Sequence, residues 1–223
     1  MQTILYRIIC LIIGYIFGLF QTGYIYGKMN NIDIRDYGSG NAGTTNAMRI
    51  LGKKAGLITF LGDALKGVFC GLFVRAIFGL ALGLDASCLF ILCLYSGFGV
   101  VLGHNYPFYM NFKGGKGIAA TGGVIVSLFD WKLVIIVAVT FFSITFISKY
   151  VSLGSICMVT VFFGCMVAFS IIGWLPISGS NQILEACIMA FLFSSLAIYK
   201  HRGNIVRLIN GTERKIGEKK ENA

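Results

Sequence analysis

The chain has 223 residues, of which 57% are hydrophobic and 13% charged, with a formal net charge of +10. These proportions exclude a disordered chain and an ordinary soluble domain, and they fit an all-α integral membrane protein that crosses the bilayer several times. One crossing needs about 20 apolar residues, so the length allows a bundle of about seven transmembrane helices, and residues 1–223 read as a single domain.

The first predicted span covers residues 4–26. No basic stretch precedes it and no A-x-A-like cleavage site follows, so it is expected to be a retained span. A polar segment comes next, centred on Gly38-Ser39-Gly40-Asn41-Ala42-Gly43. The string fits G-x-G-x-x-G, but a dinucleotide site needs a preceding strand and a βαβ unit, and here a membrane span precedes it. The physics of the string still applies, because glycines let consecutive backbone N–H groups converge on an anion. Ser39, Asn41, Thr44, Thr45 and Asn46 add hydrogen-bond donors, and Arg49 adds a fixed charge on a planar fork. The spacing predicts a helix over 44–51 with its N-terminus facing the anion. The plain alternative is a Gly/Asn-rich turn that only caps that helix.

The second span, 55–78, carries Asp63 and Lys66 three residues apart. Charges inside a membrane need a partner or a function, and mutual neutralisation near the mouth of a site is expected. The third span, 86–102, leads into a second polar segment that runs from Gly103-His104-Asn105 to Gly114-Gly115-Lys116-Gly117. Its end resembles part of a Walker A loop, but Met110 and Gly117 stand where that motif requires Gly and Ser or Thr. A lysine among glycines still places an ammonium beside a backbone nest. Gly115→Ala is expected to cost about 1 kcal/mol or more if the position has positive φ. His104 and His201 are the only histidines and lack the further ligands that zinc requires, so no metal is expected. Tyr106, Phe108, Tyr109 and Phe112 form an aromatic group suited to a membrane–water boundary.

The fourth segment, 118–129, makes only about 18 Å of helix, short of the roughly 30 Å hydrocarbon core. Fusing it with the fifth, 133–147, would place Asp130 and Lys132 in mid-membrane, so two short helices are expected. The sixth span, 151–172, opens with Ser152 and Ser155, which read either as phosphate donors or as helix caps. After the seventh, 183–199, comes a third polar segment, from His201-Arg202 through Asn204 and Arg207 to Glu213. If it is helical, His201, Asn204 and Arg207 approach one face, and Glu213 is expected to pair with a neighbouring Arg.

Charge follows this order of spans. Lys28, Arg35, Arg49, Lys53, Lys54, Lys113, Lys116, Lys149, Lys200, Arg202, Arg207, Arg214, Lys215, Lys219 and Lys220 fall on one side, and Lys132 alone falls on the other. The positive-inside bias puts the N-terminus outside, the C-terminus in the cytoplasm and all three polar segments on the cytoplasmic face. Because topology accounts for the basic balance, nucleic acid is not an expected partner. The seven cysteines are spread through apolar stretches and read as packing.

Taken together, the three polar segments resemble the bacterial membrane acyltransferases that acylate glycerol 3-phosphate from acyl phosphate. The resemblance rests on Ser39-Gly40-Asn41 through Asn46 to Arg49, on Gly103-His104 with Pro107 and Gly114 to Gly117, and on His201-Arg202 with Asn204-Ile205, Arg207 and Glu213. Asp63, Lys66-Gly67, Ser152 and Ser155 also resemble the family pattern. The departures are Tyr106, Ile118 and Ala120, where Phe, Val and Thr are usual, and none is expected to touch a phosphate. The resemblance implies a seven-helix fold in the bacterial cytoplasmic membrane. It also implies direct transfer to the 1-hydroxyl, giving lysophosphatidic acid and phosphate, without a cofactor. It makes Ser39, Arg49, Lys116, His201 and Asn204 the expected catalytic residues, Gly114, Gly115 and Gly117 part of the glycerol 3-phosphate site, and Glu213 structural. The residues themselves add Gly40, Asn41, Gly43, Thr44, Asn46, His104, Ser152 and Ser155 as candidate substrate contacts. Two rival readings fit less well. An acyltransferase of the H-x-x-x-x-D type is absent, since Tyr109 and Val206 follow the histidines at that spacing. A transporter would bind near mid-bilayer and show internal repeats.

Overall fold

The structure, a computed structural model, describes residues 2–177 and 179–217. The described residues contain helices and no strand: α1 Gln2–Gly18, α2 Thr22–Met29, α3 Thr44–Leu51, α4 Lys53–Val74, α5 Ala86–Asn105, α6 Ile118–Ser127, α7 Trp131–Ser148, α8 Val151–Ile171, α9 Ser180–Lys200 and α10 Arg202–Ile209. Among them, six segments are long and apolar enough to cross a membrane: Thr3–Met29, Lys53–Ala81, Ala86–Met110, Trp131–Ser148, Val151–Ile171 and Ser180–Lys200. The fourth predicted segment is a ten-residue helix, Ile118–Ser127, followed by Asp130, whose side chain caps α7 by accepting from the Leu133 N–H at 2.9 Å. A carboxylate at an N-cap satisfies an orphan N–H, so Asp130 ends one helix pair and opens the next, as the charge argument required.

The long helices are apolar on every side, and exposure alone separates their faces. On α1, Ile4, Ile8, Ile12 and Ile16 are all at least half exposed, one every four residues. Leu57, Leu61, Leu65, Phe69 and Phe73 repeat this row on α4. Outside water, a greasy row of this kind faces lipid, and helix contact relies on close packing. Helices α1 and α5 approach very closely. A Cβ on Gly14 would lie 1.8 Å from the Ser96 carbonyl oxygen, and one on Gly99 would lie 2.2 Å from that of Leu11. Gly18 and Gly103 follow four residues later on the same faces, so each helix offers a small-x-x-x-small pair.

The first span is not continuous. It breaks at residues 19–21, where the Gln21 side-chain amide donates to the Gly18, Gly103 and His104 carbonyls at 3.2, 3.3 and 3.0 Å. The two arginines within the spans, Arg7 and Arg75, are both engaged. Arg7 on α1 pairs with Glu185 on α9, with the Arg7 Nη2 at 2.7 Å. Arg75 donates to the Ser127 and Leu128 carbonyls at 3.2 Å each, satisfying the open C-terminal end of α6. All seven cysteines are unpaired. Lys219 and Lys220 lie outside the described residues.

Candidate active site

The first polar segment is built around a bolt. Asp33 caps the short helix Ile34–Asp36 and holds Arg35, with Arg35 Nη2 at 2.7 Å. Arg35 Nη1 in turn donates to the Met110 carbonyl at 3.1 Å, which ties the first segment to the second. Asn46 donates to the Ile34 and Tyr37 carbonyls at 2.7 and 3.1 Å, and its Oδ1 accepts from the Ser39 N–H at 2.9 Å. Asn46 therefore holds the loop from within and does not line the cleft described below. Asn41 Oδ1 accepts from the Gly43 N–H at 2.9 Å, a local turn that hands the chain to α3 at Thr44. The predicted helix over 44–51 forms with those bounds.

The second segment folds back on the end of α5. The Gly114 N–H donates to the Asn105 carbonyl at 3.2 Å and the Gly115 N–H to the His104 carbonyl at 3.0 Å. Gly115 does not have positive φ. The left-handed position is Gly117, at φ 81°, which starts α6. Gly115 is required for a different reason: a Cβ there would lie 2.0 Å from His104 Nε2. His104 is buried, and its Nδ1 lies 2.7 Å from Lys66 Nζ. Lys66 also pairs with Asp63 at 3.1 Å, so the expected neutralisation exists, with His104 as a third member.

In the third segment, His201 ends α9 and its Nδ1 lies 2.7 Å from the Ala197 carbonyl. That contact makes Nδ1 the protonated nitrogen and leaves Nε2 as an acceptor. Glu213 pairs with Arg207, as expected, and gathers two further partners. It accepts from Arg207 Nε at 2.7 Å, Asn204 Nδ2 at 2.6 Å and Ser152 Oγ at 2.9 Å. Lys116 then donates to Asn204 Oδ1, so a chain of bonds runs from Glu213 to the lysine of the glycine loop. Ser152 thus reaches the tail and does not cap α8, and Ser155 Oγ donates back to the Val151 carbonyl at 2.7 Å.

A cleft of about 380 Å³ opens where the segments meet. Gly40 and Asn41 line it from the first segment, Gly114 and Lys116 from the second, and Arg202 from the third, with Lys200 beside them. Tyr106 lines it as well, its ring 4.6 Å beneath Lys200 Nζ, so this departure from the family pattern faces the cleft. Asn204 bonds Lys116, and Arg49 and His201 interact with its charge, but none of the three lines the cleft. From the sequence Tyr106 reads as a boundary aromatic and a family departure and Lys200 as part of the charge bias, and the Asp33–Arg35 tie was not singled out. The Asp-x-Arg spacing, with its local capping geometry, was the available signal for the last.

Electrostatics follow from this crowding. Burial pulls the Lys116 ammonium down to about 8 against the pull of Glu213, and the charges of Arg207, Lys200 and Arg49 lower it further. Burial, then the Lys116 charge, lowers His201 to about 4, so its ring is neutral near pH 7. Burial raises the Glu213 carboxyl, but hydrogen bonds from Asn204, Ser152 and Arg207 outweigh it and hold the group below its usual range. The result is a concave, cation-rich site, which suits anionic oxygens.

Comparison with known proteins agrees with this chemistry. The family model described as glycerol-3-phosphate acyltransferase matches residues 8–211. The chain is 42% identical over 218 residues to the glycerol-3-phosphate acyltransferase of Clostridioides difficile (strain 630), covering 96% of this chain and 97% of that one. It is 40% identical over 218 residues to that of Thermoanaerobacter sp. (strain X514), covering 97% and 99%. Among solved structures it is similar to PlsY (YgiH), described as an integral membrane glycerol 3-phosphate acyltransferase. The match to the glycerol 3-phosphate form has a TM-score of 0.74 at 31% identity, covering 97% of this chain and 96% of that one. The match to the lysophosphatidic acid form has 0.75 at 32%, covering 95% of each.

Proposed function

Since the chain belongs to the glycerol-3-phosphate acyltransferase family, we propose that it moves an acyl group from acyl phosphate to the 1-hydroxyl of glycerol 3-phosphate. The products are lysophosphatidic acid and inorganic phosphate. The observation that carries this reading is the cleft itself, where glycine-rich backbone, Lys116 of the second segment, and Lys200 and Arg202 at the third face one volume. Two phosphate-bearing molecules repel each other, and closely placed cations offset that repulsion while holding the reactants in line.

Acyl phosphate is a mixed anhydride, so the transfer needs no cofactor. The 1-hydroxyl oxygen attacks the acyl carbon, the bond from that carbon to the phosphate oxygen breaks, and phosphate leaves with the electron pair. The hydroxyl proton goes to the departing phosphate. His201 Nε2, a free acceptor on a neutral ring, is the second candidate for that proton. Lys116 and Arg49 stabilise charge on the leaving group. Asn204 orients Lys116, and Ser39 donates to a phosphate or acyl oxygen without forming an ester. Gly40, Asn41, Gly43 and Thr44 form the first glycine-rich wall and Gly114, Gly115 and Gly117 the second. The Gly40, Gly43, Gly114 and Gly115 N–H groups are already bonded within the protein, so the glycines serve by leaving room for substrate oxygens to reach the cations.

We place the site on the cytoplasmic face of the bacterial membrane, with seven spans counting α6, the N-terminus outside and the C-terminus inside. The cation asymmetry supports this orientation. Purified protein in detergent, given acyl phosphate and labelled glycerol 3-phosphate, tests the reaction. Lysophosphatidic acid and phosphate should form in equal amounts with neither ATP nor coenzyme A present. An acylated Ser39 trapped during turnover would refute direct transfer.

A further inference from the structure

Lys66 lies off the cleft, and its surroundings are unusual for a lysine. Its Nζ has four acceptors around it: the Phe20 carbonyl at 2.7 Å, the Gly18 carbonyl at 3.4 Å, Asp63 Oδ1 at 3.1 Å and His104 Nδ1 at 2.7 Å. Thr22 Oγ1 supports the arrangement by donating to the same Asp63 oxygen at 3.2 Å. Lys66 and Asp63 are 5% and 2% exposed, so water does not compete for these contacts.

Two of the acceptors are carbonyls released by the break between α1 and α2. Broken helices in membrane proteins present such carbonyls to cations, commonly a bound metal ion. Here the cation is attached to α4. The fourth acceptor belongs to His104, whose carbonyl receives the Gly115 N–H and whose other ring nitrogen abuts Gly115. One imidazole therefore separates the ammonium from the glycine loop. We infer that Lys66 is a positioning residue, a tethered cation that closes the helix break and, through His104, sets the loop at residues 114–117 for substrate. The geometry calls for a compact ammonium with three divergent donors, which the planar fork of arginine does not supply. The inference rests on the reading that this loop grips glycerol 3-phosphate.

The test uses the full chain in detergent, as wild type and as Lys66→Ala, with two readouts. Backbone hydrogen exchange over 113–118 should rise at least about tenfold in the variant. The KM for glycerol 3-phosphate should rise by about tenfold while kcat falls less than about threefold. Propylammonium, which replaces the missing side chain, should restore both, whereas tetramethylammonium, which has no N–H, should not. Lys66→Arg should behave like Lys66→Ala. If Lys66→Ala does not fold, Asp63→Asn with Lys66→Met removes both charges together and should show the same loosened loop. A folded variant with wild-type exchange and KM overturns the inference, and so does a loop that propylammonium leaves loose. A wild-type protein that made no product would sink the proposed reaction, while the exchange readout would still decide the role of Lys66.

Discussion

At the residue scale the account turns on Lys116 and its neighbours. Lys116→Met should abolish acyl transfer while the protein still inserts and elutes as a folded species, and near-normal turnover would remove Lys116 from the site. Titration gives a subtler check. The Lys116 ammonium titrates near 8 in the fold against 10.5 in the open chain, so it is charged below about pH 8 and loses its charge above. Apparent affinity for glycerol 3-phosphate should therefore weaken as pH climbs from 7 to 9, and Lys116→Arg, which stays charged, should flatten that profile. For folding, the unfolded chain holds the extra proton between 8 and 10.5, so stability should rise with pH across that window. Gly115→Ala tests packing rather than backbone strain. The new methyl meets His104 Nε2 at 2.0 Å, so the loop must shift, and KM for glycerol 3-phosphate should rise about tenfold with a smaller change in kcat. The need for glycine at 115 was legible in the sequence, but its cause was not, because a clash depends on a histidine eleven positions away whose placement only the fold supplies.

At the element scale the predicted spans reappear as helices with ends displaced by a few residues, since runs of apolar residues and flanking charges survive without tertiary context. The split of the fourth and fifth segments at Asp130 was legible for the same reason, as was the helix at 44–51. The break at residues 19–21 was not. Leu19, Phe20 and Gln21 look compatible with a continuous helix, and the interruption depends on Gln21 and Lys66 reaching carbonyls across the bundle. Nor did Gly14, Gly18, Gly99 and Gly103 announce the contact between α1 and α5, although their four-residue spacing was visible. That contact gives a stability prediction. Gly99→Val would put side-chain atoms where the Leu11 carbonyl oxygen already lies 2.2 Å from a Cβ, so folded yield and detergent melting temperature should both fall sharply. A valine tolerated there at wild-type yield would show that the helices do not depend on this approach.

For the whole molecule, the basic side chains are both a topology signal and a chemical resource. Burial chiefly, and then the nearby charges of Arg207, Lys200 and Arg49, disfavour the Lys116 ammonium, with Glu213 offsetting only part of this, and an anionic ligand relieves the remainder. Binding should accordingly stabilise the fold by mass action, and melting temperature should rise with added glycerol 3-phosphate. The three segments could be picked out by composition alone, whereas their convergence through Arg35 to Met110 and through Lys116 to Asn204 could not. The central claim is that these distant stretches form a single site. Hydrogen exchange on the wild-type chain, with and without saturating glycerol 3-phosphate, tests it most directly. The account predicts slowed exchange in 38–43, 111–117 and 201–207 together, with one shared concentration dependence, and protection confined to a single stretch, or midpoints that differ between stretches, would contradict it.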